Sequence, residues 1–172
     1  MKKRALVHSV KGAAAFAVTV VLLCLPLASC GEKPADIDMY DLCKTMSGAS
    51  DKWQEMKYAS SEDNAPAELL ENISDMDYAK VNAFFIYYAA EGAGNADEIA
   101  VIQVKNKADL TQAADSLTAH LNKRKSLYAT YDRSQLAKLE KGRVVTKNGM
   151  AALIVADDAD QIEESFFQAV SR

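Results

Sequence analysis

Two hydrophobic periods run through this chain, one near 3.6 residues and one near 2, and the changes from one to the other mark out its elements. From Asp36 to Ser47, Ile37, Tyr40 and the series Met39, Cys43 and Met46 keep helical spacing, with acidic residues in the first turn, where the helix dipole favours them. After Gly48, Asp51 to Tyr58 reads as a short second helix, and Ala59 to Asn64 reads as a loop by composition. Pro66 suits the first turn of a brief helix through Glu71, with Asn64 as its upstream cap. Val81 to Ala90 is aromatic, branched and apolar on both sides, the pattern of a largely buried strand. Glu98 to Lys105 is a second strand, joined to the first by the turn-forming stretch Glu91 to Ala96.

A long helix follows. Asn106 stands at its cap with Asp109 three residues on, and Leu110, Ala114, Leu117, Leu121 and Tyr128 form its apolar stripe. Asp132 and Ser134 start another short helix that ends at Gly142. Arg143 to Lys147 and Met150 to Ala156 flank Asn148-Gly149, which supplies the two positive φ angles of a tight hairpin turn. A final amphipathic helix carries Ile162, Phe166, Ala169 and Val170 on one face. The pattern predicts an α+β domain: a mainly antiparallel four-stranded sheet in the order ββ-α-ββ-α, two layers deep, with helices packed on one face.

The N-terminal pattern is of another kind. Lys2, Lys3, Arg4 and Lys11 precede an uncharged stretch from Gly12 to Pro26, and Leu27-Ala28-Ser29-Cys30 closes it. The apolar core falls short of the roughly 20 residues a bilayer-spanning helix needs. It fits a cleavable leader over residues 1–29, with Cys30 as the lipidated N-terminus of the mature chain. Two acyl chains on a diacylglyceryl group suffice for stable anchoring, at about 0.8 kcal/mol per buried methylene. Residues 30–35 form a short tether, reaching at most about 3.5 Å per residue, and residues 36–172 form one domain. The expected location is the extracytoplasmic face of the cell membrane.

Charge and cysteine content narrow the partners. Without the four basic residues of the leader, 16 basic residues stand against 24 acidic ones, a net charge of −8. That balance argues against nucleic acid, which demands a basic face. Of the three cysteines, Cys24 leaves with the leader and Cys30 is acylated, so Cys43 has no intrachain disulfide partner. Its place on the Met39/Met46 face reads as packing.

With these pieces in place, the chain resembles a known family. The lipobox, the segment Asp97-Glu98-Ile99-Ala100-Val101, the basic end of the long helix with Tyr128 and Tyr131, and the run Val144 to Gly149 resemble, in order and spacing, the small clostridial-type lipoproteins that carry a C-terminal domain of unknown function, DUF4358. The resemblance covers about residues 66 to 170. It implies lipidation at Cys30 and assigns no activity or catalytic residue. This chain has His120 and Asp132 where family members often have arginine and proline.

Candidate chemistry is sparse. His120 is the one histidine outside the leader, and it reads as a partly exposed side chain on the flank of the helix stripe. One histidine and one cysteine far apart make no zinc site, and no Gly-x-Ser-x-Gly occurs. Asp157-Asp158-Ala159-Asp160 lacks the glycine and terminal glutamate of a calcium loop, so it reads as helix capping. Gly92-Ala93-Gly94 leads into a strand, not a helix, and reads as a hairpin loop, not a phosphate cradle. Asp97 and Glu98 read as solubilising charges on a sheet edge, and Lys123, Arg124 and Lys125 as a solvated helix end. Trp53, Tyr58, Tyr87 and Tyr88 read as core, with glycan stacking the alternative. The sum is a non-enzymatic lipoprotein domain, without a cofactor, that binds a protein or small ligand near the membrane. A solute-binding receptor of a transporter and a cell-wall-directed hydrolase are the alternatives.

Overall fold

The structure is a computed structural model that describes residues 37–91 and 94–171. Cys30, the leader and the tether lie outside the described residues. The chain runs α1 (Met39–Ser47), β1 (Met56–Ser60), α2 (Pro66–Glu71), β2 (Val81–Ala89), β3 (Glu98–Val104), α3 (Leu110–Tyr131), α4 (Leu136–Lys141), β4 (Arg143–Lys147), β5 (Met150–Val155) and α5 (Ala159–Val170). Short 3-10 turns at Tyr78–Lys80, Lys107–Asp109 and Arg133–Gln135 lead into β2, α3 and α4.

The α+β class holds, and the sheet is antiparallel throughout, but it has five strands in the order β1-β2-β3-β5-β4. The additional strand is β1, in a stretch that the sequence pattern divides between a helix and a loop. Its five residues pair with the outer side of β2, from Met56 opposite Ala89 to Ser60 opposite Phe85. Tyr58 stacks on Phe85 with ring centroids 6.2 Å apart. The partner strand, not local propensity, makes this segment extended.

The second correction concerns the layers, because helices cover both faces of the sheet. On one face, Leu70 of α2, Ala113, Leu117 and Leu121 of α3 and Leu139 of α4 pack against Phe84, Ile86, Ala100, Ile102, Leu153 and Val155. On the other, Met39, Leu42, Cys43 and Met46 of α1 and Ile162, Phe166 and Val170 of α5 pack against Phe85, Ile99, Val101, Ala152 and Ile154. Every residue of β3 and β5 is buried, as a sheet sandwiched between helices requires.

Helix ends differ in detail from the pattern. Helix α1 begins at Met39, where the Asp38 carboxylate accepts from the Asp41 N–H at 2.8 Å. Helix α2 follows Ala65, whose φ is 53°, and has no side-chain cap, so Asn64 does not cap it. Asn106 accepts from the Ala108 N–H at 3.0 Å and so opens the 3-10 turn ahead of α3. The β4–β5 hairpin turns as expected, with φ of 48° at Asn148 and 78° at Gly149. No helix among the described residues is long and apolar enough to cross a membrane.

Candidate functional site

Glu98 opens β3, a central strand, and its side chain is only 5 % exposed. A lone carboxylate buried there would be costly, so its surroundings have to supply charge and donors. Helix α3 supplies both. Its apolar residues Ala113, Leu117 and Leu121 seat it on the sheet, and beside them Ser116, His120, Arg124 and Tyr128 recur every fourth residue. Ser116 bonds Ser74 and Asp75, pinning the segment after α2 to α3. One turn further, His120 Nε2 lies 3.0 and 3.3 Å from the two Glu98 oxygens. Arg124 donates to Glu98 Oε2 and, at 3.2 Å, to the Ala96 carbonyl. Tyr128 donates to the Asn95 carbonyl at 3.2 Å, and its ring lies 5.7 Å from the Arg124 guanidinium carbon.

Burial alone would raise the Glu98 pKa, but the His120 hydrogen bond and the Arg124 charge outweigh it and hold the carboxyl below its ordinary value. Glu98 is therefore ionised at neutral pH. An ionised carboxylate only accepts, so the His120 proton sits on Nε2, and Nδ1 has no protein partner among the described residues.

This cluster lies at one side of a cleft of about 730 Å³. The sheet contributes Lys57 and Ala59 of β1, Ile86 and Tyr88 of β2, and Glu98; α2 and the residues after it contribute Leu69, Asn72 and Ile73; α3 contributes His120, Arg124 and Tyr128. Glu91, Asn95 and Asp132 border it. Apolar walls with a few converging polar groups, at a volume suited to a small molecule, are the ordinary make-up of a ligand site.

Two sequence readings are corrected here. Glu98 and Asp97 are not edge solubilisers: each residue is 4 % exposed. Asp97 accepts from Lys138 Nζ at 2.7 Å. Arg124 is not a solvated helix end, for its side chain is 15 % exposed and paired. His120 is partly exposed, at 15 %, as the pattern has it, and it is bound to Glu98, which the pattern does not show. The signal available was the four-residue recurrence of polar residues beside the apolar stripe, facing a strand otherwise wholly apolar at its start.

The other candidates separate. Cys43 is buried on the α1–α5 face, and desolvation pushes its thiol up to about 12, the state of a packing thiol. Trp53 donates to the Ser47 carbonyl at 2.7 Å and meets Tyr87 edge to face, while Tyr58 stacks on Phe85. Of the four aromatics only Tyr88 lines the cleft. The acidic run before α5 does not cap that helix through Asp158. Asp157 faces Lys138, Asp158 faces Lys52 and Ser50, and Asp160 faces Arg143, so the three carboxylates diverge. Among the described residues no group of three or more histidine, cysteine, aspartate or glutamate side chains could hold a metal ion. Of the loop at 92–94, only Gly94 falls among the described residues, and it has a φ of 66°.

Comparison with known proteins gives a family match. The model of a domain of unknown function, DUF4358, matches residues 54–156, which takes in β1 to β5 and all the cleft residues named above. No curated protein and no solved structure matches the chain.

Proposed function

The chain belongs to the DUF4358 family, and from that premise we propose that it is an extracytoplasmic lipoprotein, anchored through a diacylglyceryl group on Cys30, whose domain binds a small ligand close to the membrane. The observation that carries the ligand reading is the cleft, with a buried Glu98–Arg124–His120 cluster at its side and apolar walls opposite. Such a cluster fixes the donors and acceptors before a ligand arrives, which lowers the entropic cost of binding. The anchor reading rests on the leader pattern that ends at Cys30.

Two experiments test the two halves. Ligand-observed NMR with a fragment library should find binders that the Asn72→Trp variant weakens, because Asn72 is an exposed residue of the cleft wall and an indole there takes up part of the cleft. Fragments that bind both proteins alike refute the site. For the anchor, Cys30→Ala should release the protein from membranes in an alkaline wash, and retention of the variant refutes lipidation.

One observation favours a second reading, a hydrolase. Glu98 orients His120 so that Nδ1 is free to accept a proton, the arrangement of a general base. Turnover of cell-wall fragments that is lost in His120→Gln would favour it over a binding domain.

A further inference from the structure

Resting on the reading of the cleft as a ligand site, we propose that its ligand is a small organic carboxylate carried on an apolar body. The sheet places Lys57 opposite Tyr88, and Tyr88 opposite Glu98, so these three side chains form a row across the cleft floor. Lys57 makes no ion pair, and the Tyr88 hydroxyl no hydrogen bond, among the described residues. Arg124 spends one hydrogen on Glu98 and one on the Ala96 carbonyl, leaving its Nε–H and one hydrogen on each terminal nitrogen without a partner among the described residues. Donors therefore converge at one end of the cleft, and a carboxylate can take bonds from an ammonium, a phenol and a guanidinium together.

The acidic residues around the cleft do not cancel this. Glu98 is already matched by Arg124 and His120. Asp132 accepts from the Ser134 N–H at 3.0 Å and its hydroxyl at 2.6 Å. Those neutral donors leave the Asp132 charge in place, so Asp132 and the exposed Glu91 both oppose an anion from the border of the cleft, where water screens them. Arg124 is already matched by Glu98, so Lys57 is the unmatched cation of the cleft among the described residues; it balances a monocarboxylate and leaves a phosphate dianion with excess charge. Leu69, Ile73 and Ile86 line the rest of the cleft and call for an apolar body.

The test uses the full chain in phosphatidylcholine nanodiscs, with empty nanodiscs as reference, titrated calorimetrically with 3-phenylpropionate and the neutral 3-phenylpropanamide. The acid should bind at least about tenfold tighter, the scale of one charge-assisted hydrogen bond. Lys57→Gln should weaken the acid more than the amide and so narrow the preference, leaving the part that Arg124 supplies. Glu91→Gln should strengthen the acid about twofold. Both changes are at exposed residues, so the fold is not at stake. Equal affinity of acid and amide, a preference that Lys57→Gln leaves undiminished, or no binding of the acid overturns the proposal. Amide binding that Asn72→Trp weakens reports on the cleft alone, so failure of the charge preference is distinct from failure of the site.

Discussion

Removing the guanidinium from the buried cluster isolates what holds it together. In Arg124→Met the methionine keeps the apolar stem, while Glu98, with a side chain 5 % exposed, keeps His120 as its one remaining side-chain partner among the described residues. Breaking a buried pair by removing one member costs about 3–5 kcal/mol, because the other charge stays desolvated. His120 still donates to Glu98, and the side chain lost was 15 % exposed, so the low end, about 3 kcal/mol, is the expected cost. The loss is a large share of the roughly 5–15 kcal/mol by which domains are stable. Urea unfolding reads it directly through Trp53, the one tryptophan, which is packed on Tyr87. With a urea slope of about 1–3 kcal/mol per molar, the midpoint should fall by about 1–3 M. The double variant Glu98→Leu/Arg124→Met removes both charges and should recover most of the loss, since apolar replacement of a buried pair is often neutral. A cost below about 1 kcal/mol for Arg124→Met, or a double variant no more stable than the single one, would refute the account of Glu98 as a charge held by its partners.

Three further outcomes follow from the same geometry. Because the Glu98 carboxyl titrates below its ordinary 4.5 in the fold, the unfolded chain binds the proton first on acidification; stability should fall as pH drops below about 4.5, and the double variant should lose that part of the pH dependence. Cys43, raised to about 12 and buried, should resist iodoacetamide at pH 8 in the native protein and react only when urea unfolds it, as mass spectrometry can show. Gly142→Ala would place a Cβ 2.9 Å from the Leu139 carbonyl oxygen and 3.0 Å from side-chain carbons of Leu121 and Val155; thermal unfolding should show a loss of about 1–3 kcal/mol.

What could be read from the sequence was what local chemistry decides. Asn148-Gly149 set its hairpin because both residues take positive φ, and Pro66 set the start of α2 because its fixed φ suits a first turn. The Met39/Cys43/Met46 face was legible because burial follows helical spacing. β1 was not legible, since Met56 to Ser60 carries no strong strand bias and gains its form from pairing with β2, whose partner residues lie 25 to 33 positions away in sequence. Coverage of both sheet faces had a visible trace in the unbroken apolar stretches of β3 and β5. The site itself was hidden for the same reason as β1. Glu98 lies 22 residues from His120 and 26 from Arg124, so each reads in isolation as an ordinary solvated charge. Only the fold shows that the three meet.

That meeting bears on why the cluster exists at all. A buried ion pair gains little over an apolar pair of the same volume, and its buried neighbours on this sheet face, Phe84, Ile86, Ala100, Ile102, Leu153 and Val155, are apolar. Stability alone therefore gives no reason for a carboxylate at the start of the central strand. Geometry does. Glu98 and the Ala96 carbonyl hold two of the Arg124 nitrogens, Glu98 fixes which nitrogen of His120 carries the proton, and the Tyr128 hydroxyl is tied to the Asn95 carbonyl. Three side chains with many rotamers are thereby set in place along one wall of the cleft, with their remaining donors and acceptor uncommitted. Fixing groups in advance is what a binding surface needs, because every side chain left to order itself on binding subtracts about 0.5–1.5 kcal/mol from affinity. On the proposed reading of the cleft, Glu98 is the framework of the site, and a ligand would meet the groups that it holds.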